Sequence, residues 1–326
     1  MGPKYEFTDE TKNYDGHLLH RIKRLSDDEI GGWIESEDNL SQEGDCWVFS
    51  NAQVYDNAKI SGNAYVQDNA EVYGNAQVYG NAIVDHNAKV YGNAKVFDDA
   101  QVYDNAQIYG NAKVHDNAEV FKNAKVYGEV EVCDYTNIYG NAEVYGEAKV
   151  YNRAKVYGVA GVCGNAQVYD DAEICGNAKV FDDARVYECA EIYSNAQVWG
   201  SAQIYGNATV SGDTKVYDNA KIYNDAWVND NAKVYGSAEV YGNVHVWDNT
   251  SVYDEAEVYG NAQVYNDSQI WGSAKIYDKA EVYDYAQVYG NAQVYGNANI
   301  HGEARVYGNA RIFDYTQVCG NTIINY

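Results

Sequence analysis

Ala76-Gln77-Val78-Tyr79-Gly80-Asn81 is one copy of a unit that governs most of the chain. From Val48 to Ile324 every sixth residue is Val or Ile, through 47 hexapeptides without a slipped register. So strict a period means one supersecondary unit repeated along an axis, each copy resting on its neighbours. Within the unit, alternation sends Ala76 and Val78 one way and Gln77 and Tyr79 the other, as in a short strand. Gly80-Asn81 then turns the chain, because Gly and Asn accept a positive φ at low cost. A helix is excluded, since apolar positions spaced by two, four and six make no 3.6-residue stripe.

Three such sides with three corners close a triangular coil of 18 residues. The expected fold class is therefore all-β: a parallel β-helix, a triangular solenoid of between 15 and 16 coils. Coils stacked about 4.8 Å apart would make a rod of roughly 75 Å. Val and Ile fill the interior and Ala keeps the corners narrow. Each buried aliphatic side chain contributes roughly 1.5–3 kcal/mol gross, which over the whole repeat offsets chain entropy without metal or disulfide. Residues 1–45 read as an N-terminal capping segment, with Trp33, Ile34 and Leu40 as its apolar plug, and 46–326 as the hexapeptide-repeat β-helix. Val159 stands in a corner slot usually held by Asn; a β-branched residue there predicts an altered turn at Gly158-Val159-Ala160-Gly161.

Charge and composition narrow the functions. The net charge is −25, from 23 basic and 48 acidic residues. Phosphate-backbone binding requires a basic track, so direct nucleic-acid binding is not expected. The one dense basic stretch, His17 to Arg24, is followed at once by Asp27-Asp28-Glu29 and reads as a solvated face. No apolar run approaches the ~18 residues of a membrane span, and the N-terminus has no basic-then-apolar signal pattern. Cys46, Cys133, Cys163, Cys175, Cys189 and Cys319 form no CxxC pair, and none stacks on another at a spacing of 18. Zinc sites and disulfide scaffolds need clustered thiols. Free thiols, a reducing cytoplasmic location, no metal and no cofactor are the expectations.

The repeat resembles that of left-handed parallel β-helix proteins of the hexapeptide-transferase superfamily, which pair an aliphatic residue with a small residue four places on. A narrower resemblance lies in Gly31-Gly32-Trp33-Ile34-Glu35-Ser36-Glu37-Asp38-Asn39-Leu40-Ser41-Gln42-Glu43-Gly44-Asp45-Cys46-Trp47, which is similar to the N-terminal segment of the bacterial YdcK-like proteins. These resemblances imply a left-handed coil, a fold shared with CoA-dependent acyltransferases, and frequent trimers. The chain departs from such transferases in having no loop between units. The run to Ile323-Ile324-Asn325-Tyr326 has no helical cap, and an open parallel edge is usually covered. A homo-oligomer (dimer or trimer), or a protein partner at that C-terminal end, is the expectation.

Residues 18 apart share a face, so the exterior reads in columns. One runs Tyr55, Tyr73, Tyr91, Tyr109, Tyr127, Tyr145, then Cys163, then Phe181, Trp199, Tyr217, Tyr235, Tyr253, Trp271, Tyr289 and Tyr307. A second runs from Tyr151 to Phe313 with Lys149, Arg185, Lys221, Lys275 and Arg311 beside it. Stacked aromatics stabilise a sheet through cross-strand contacts; a long aromatic face is also a surface for a partner or second copy. The third face is irregular, with Trp227 a coil from His245, Trp247 two residues from it, and His301 a coil from Cys319. His245, His301 and Cys319 are the weak catalytic candidates, as general base or as a nucleophile–base pair. His86 and His115 read as isolated variants.

Four functions remain from these readings: a non-catalytic rod that binds itself or a protein, an acyltransferase by resemblance alone, an acidic DNA mimic, and glycan binding through the aromatic columns. Duplex DNA carries one charge per ~1.7 Å, roughly 44 over the rod, well above what this repeat carries. The interaction rod, binding through Tyr55, Tyr73, Tyr91, Tyr109, Tyr127, Tyr145, Trp199, Trp227, Trp247 and Trp271, is the preferred reading.

Overall fold

A computed structural model describes residues 2–326. The chain divides into two compact units, Met1–Cys163 and Gly164–Tyr326. The repeat in each is a β-solenoid of parallel two- to four-residue strands that pair with the strands 18 residues before or after them. In the first unit Lys95 pairs with Gln77 below and Lys113 above. In the second, Gln203 pairs with Arg185 and Lys221. The third face holds seven strands in the first unit and nine in the second, which agrees with the expected number of coils.

The pattern of the unit explains this ladder. Outward residues donate their backbone N–H to the carbonyls of inward residues one coil on: Gln77 to Ala94 at 2.9 Å, Tyr79 to Val96 at 3.0 Å. The Val, Ile and Ala side chains they alternate with are buried from Val48 to Val318, as the sixfold period predicts, and only Ile324 in the last coil is half-buried. A few polar residues take the Ala place. Thr250 donates its hydroxyl to the Asn266 carbonyl at 3.1 Å, whereas the buried hydroxyls of Thr136 and Thr214 have no partner. Val130 and Val244 already fill the same place elsewhere. Thr214→Val is therefore expected to stabilise the second unit by about 1 kcal/mol, since it removes an unsatisfied group at constant shape. A raised thermal midpoint checks this, and Thr250→Val, which breaks a bond, should not raise it.

The corners differ from the expectation. The positive φ falls on the Gly of each Gly-Asn pair (Gly80, φ 73°) and not on the Asn. Where Gly is missing, Asp most often takes the left-handed conformation, as at Asp98 (57°) and Asp104 (59°). Its short carboxylate also accepts the backbone N–H one coil on: Gly74 to Asp56 at 3.0 Å, Asn152 to Asp134 at 3.0 Å. That bond to the next coil helps hold Asp in a conformation that short polar side chains adopt more readily than others. The Asn that follows forms side-chain ladders instead, Asn75 to Asn93 and Asn93 to Asn111 at 3.0 Å each. Val159 accordingly sits in an unaltered turn. Gly158 carries the positive φ of 76°, Val159 points into solvent, and Glu143 still pairs with Gly161.

The N-terminal segment is itself β. Strands β1 (Tyr5–Tyr14) and β2 (His17–Arg24) form an antiparallel hairpin, and β3 (Ile30–Ile34) joins β2 antiparallel and Gln53–Val54 parallel. Ile34 and Leu40 are fully buried over Val54 and Ile60, so they do plug the interior. Trp33 does not. It pairs with Gln53 at an outward position and packs with Leu19 and Tyr55 beneath the hairpin, with Lys12 and Arg21 over its ring. Strand alternation forbids adjacent Trp33 and Ile34 from facing the same way. His17 clasps the hairpin to the first coil through Glu35 at 3.0 Å. No helix among the described residues is long and apolar enough to cross a membrane.

Candidate functional site

The 18-residue register places identical rings above one another at the strand spacing. On the first face of the first unit, Tyr55, Tyr73, Tyr91, Tyr109, Tyr127 and Tyr145 form one continuous stack. Successive centroids lie 4.7–5.1 Å apart and no pair is tilted by more than 6°. In the second unit the stack runs from Phe181 through Trp199, Tyr217, Tyr235, Tyr253, Trp271 and Tyr289 to Tyr307. The second face of that unit carries nine rings, Tyr169 to Phe313. The backbone spacing of about 4.8 Å imposes this distance, and each contact adds roughly 0.2–1 kcal/mol.

The third face is more ordered than its sequence suggests. It holds two stacks of four, Tyr103–Phe121–Tyr139–Tyr157 and Trp247–Tyr265–Tyr283–His301. Reading every eighteenth residue would have found both. His301 is thus the end of a ring stack, 4.9 Å from Tyr283. No hydrogen bond links its side chain to Cys319 among the described residues, so the two do not form a nucleophile–base pair.

The polar groups beside the columns are paired across coils. Lys89 meets Glu71 at 2.9 Å, Lys125 meets Glu143 at 3.0 Å, and Lys275 meets Glu257 at 2.8 Å. The last two pairs are substantially exposed and add at most about 1 kcal/mol each. Tyrosine hydroxyls reach the carboxylate of the next coil, Tyr103 to Glu119 and Tyr223 to Glu239 at 3.0 Å. Burial first, and then those carboxylates, push both phenols well above their usual range. These two phenols therefore keep their protons and act as the donors.

Trp227, Asn229, His245 and Trp247 do come together, lining a hollow of about 210 Å³. The His245 ring stands edge-on to Trp227 at 5.4 Å and to Trp247 at 6.2 Å. Trp227 is 43% exposed and lies in no parallel stack. Asn229 donates to Asp230 at 3.1 Å. Nothing among the described residues hydrogen-bonds to the His245 side chain, so no group orients it as a base. The hollow is wide enough for one ring-sized group beside the Trp227 indole.

His115, read as isolated, has the richest surroundings of any histidine in the repeat. Its Nδ1 lies 2.9 Å from an Asp116 oxygen and its Nε2 lies 3.6 Å from a Glu131 oxygen. Cys133, 18 residues on, is held by burial, and next by the Asp134, Glu131 and Asp116 carboxylates, at a thiol pKa pushed up to about 12. A thiol kept protonated is a poor nucleophile. His86 likewise has a carboxylate neighbour, Asp85 at 3.2 Å. No disulfide joins any of the six cysteines among the described residues.

The family model of the YdcK β-solenoid repeat matches residues 76–92, 202–218, 286–302 and 304–321. Each match spans about one coil, and the chain carries YdcK-type solenoid repeats at these places, as the sequence resemblance implied. The matches lie within the repeat and do not reach Gly31–Trp47. No curated protein matches the chain.

Proposed function

We propose that this β-solenoid is a non-catalytic interaction scaffold whose aromatic columns associate with a second copy of the chain. One observation carries the reading: the rings stack parallel along whole faces, so their faces are consumed by one another and only their edges and hydroxyls reach the surface. A sugar that binds by lying on an aromatic face finds none free along these columns. A flat protein surface, in contrast, can cover ring edges and Tyr hydroxyls together, and aromatic residues are what interfaces favour, with the paired Lys and Glu left toward a polar rim. A column that repeats every coil also offers the same group many times, so weak contacts add up across the face.

Acyl transfer finds less support, because it needs an oriented base near the acceptor, and His245 and His301 have ring contacts only. The triple substitution Tyr91→Ser, Tyr109→Ser and Tyr127→Ser keeps the interior intact. It is expected to lower the mass measured by light scattering to that of fewer chains. An oligomer of unchanged mass would refute association through this face. Tight calorimetric binding of acetyl-CoA would move the assignment to acyl transfer.

A further inference from the structure

We propose that His115, Asp116 and Cys133, with Glu131 beside them, form a binding site for a borderline-soft divalent transition metal, zinc foremost. One ligand atom from each of His115, Asp116 and Cys133 lies within 4.8 Å of the other two. The coil brings them there. His115 and Cys133 occupy successive places in the outward column of the second face, and Asp116 takes the left-handed corner position (φ 56°) immediately after the histidine. The imidazole is held before any ion arrives, stacked on Phe97 at 4.6 Å with its side chain only 17% exposed.

Charge and donor chemistry both favour a cation. Three carboxylates surround the pair: Asp116 and Glu131 lie 2.9 and 3.6 Å from the imidazole nitrogens, Asp134 lies 3.8 Å from Sγ, and the Asp134 N–H donates to Asp116 at 3.5 Å. Lys149 answers only Glu131, at 3.5 Å. A divalent ion among them replaces mutual repulsion with attraction. A nitrogen, a sulfur and one or two oxygens are the ligand set of zinc or cobalt, whereas calcium and magnesium take oxygens. Tetrahedral ligands 2.0–2.3 Å from an ion stand about 3.3–3.8 Å apart, so the donors need contract by about an ångström, within reach of rotation in the Asp116 and Cys133 side chains.

Two other groups of donors converge, and neither competes. His17, Glu35 and Asp56 contain no sulfur and are engaged in clasping the hairpin, with Glu35 also accepting the Asp56 N–H at 2.7 Å. Asp68, Asp85 and His86 also lack a thiol, and Asp68 and His86 are exposed. The ion would join two successive coils of the first unit and offset the repulsion among their carboxylates.

The test is cobalt(II) added to the reduced, metal-free full-length chain. A thiolate-to-cobalt charge-transfer band in the near ultraviolet, saturating at one ion per chain and bleached by zinc, is expected. Cys133→Ser should abolish the band. His115→Gln should weaken binding about tenfold or more, and Cys189→Ser, at an exposed thiol, should leave it unchanged. No band at saturating cobalt, or a band that survives Cys133→Ser, overturns the site. X-ray absorption of the zinc-loaded wild type needs no variant: one sulfur in the first coordination sphere supports the proposal, and an all-oxygen sphere overturns it.

Discussion

Val102→Asp is expected to unfold the first unit under conditions where the wild type is fully folded. Val102 is completely buried and stands between Val84 and Val120 in one aliphatic column. The substitution deletes two methyl groups and places a carboxyl where nothing hydrogen-bonds to it. Burying such a group costs several kcal/mol even after it takes up a proton. A loss of more than about 4 kcal/mol follows, at the extreme of single-residue effects. Because each coil rests only on its neighbours, the damage should spread along the stack. Loss of the circular dichroism strand signal and cleavage within the first unit would register it. Gln101→Asp, one residue away on the solvent side of the same strand, should change stability by less than about 1 kcal/mol.

The second large effect is at a corner of the other unit. Gly212 has φ +68°, and a Cβ built there would lie 2.5 Å from the Asp230 backbone nitrogen and 2.7 Å from its Cα and carbonyl oxygen. All three atoms are main chain, so no side chain can swing aside. Gly212→Val adds the penalty of a β-branched residue in the left-handed region, about 1–3 kcal/mol, to that overlap. It should lower the unfolding midpoint of the second unit sharply. Gly212→Asn separates the two causes. Asn tolerates the dihedral, as Asn224 (59°) does in the same unit, but it still brings a Cβ. If Asn and Val prove equally harmful, close approach and not the dihedral sets the cost.

These two sites show what the sequence reveals about the fold and what it hides. The sixfold Val or Ile fixes the interior, since only one arrangement buries all of them, and the solenoid of 18-residue coils follows. The conformation of the corner was harder to read. Gly and Asn are adjacent, both accept positive φ, and only the hydrogen bonds decide that Gly takes it while Asn builds an amide ladder. Turns such as Asp56-Asn57 and Asp104-Asn105 held the clue, because there Asp replaces the Gly while the Asn stays in its own place. Trp33 was misassigned for want of a period: outside the repeat, alternation alone had to decide between it and Ile34.

The candidate sites divide in the same way. The Trp227–His245–Trp247 hollow is visible as soon as residues are aligned every 18 places. The surroundings of His115 obey the same rule, with Cys133 one coil above it. Comparing thiols only with thiols hides them, since the convergence is between unlike residues. What no spacing could supply is the reach of Glu131 and Asp116 toward the imidazole, which depends on side-chain torsions.

The constancy of coil length also limits how such a gene can change. Within a unit, removing 18 residues would excise one storey and leave every tyrosine above its former kind of neighbour. Removing six would keep the aliphatic interior continuous yet hand each downstream column to a different wall, scrambling the exterior while the core survived. Duplication and loss in whole storeys are therefore the length changes that preserve what this surface displays.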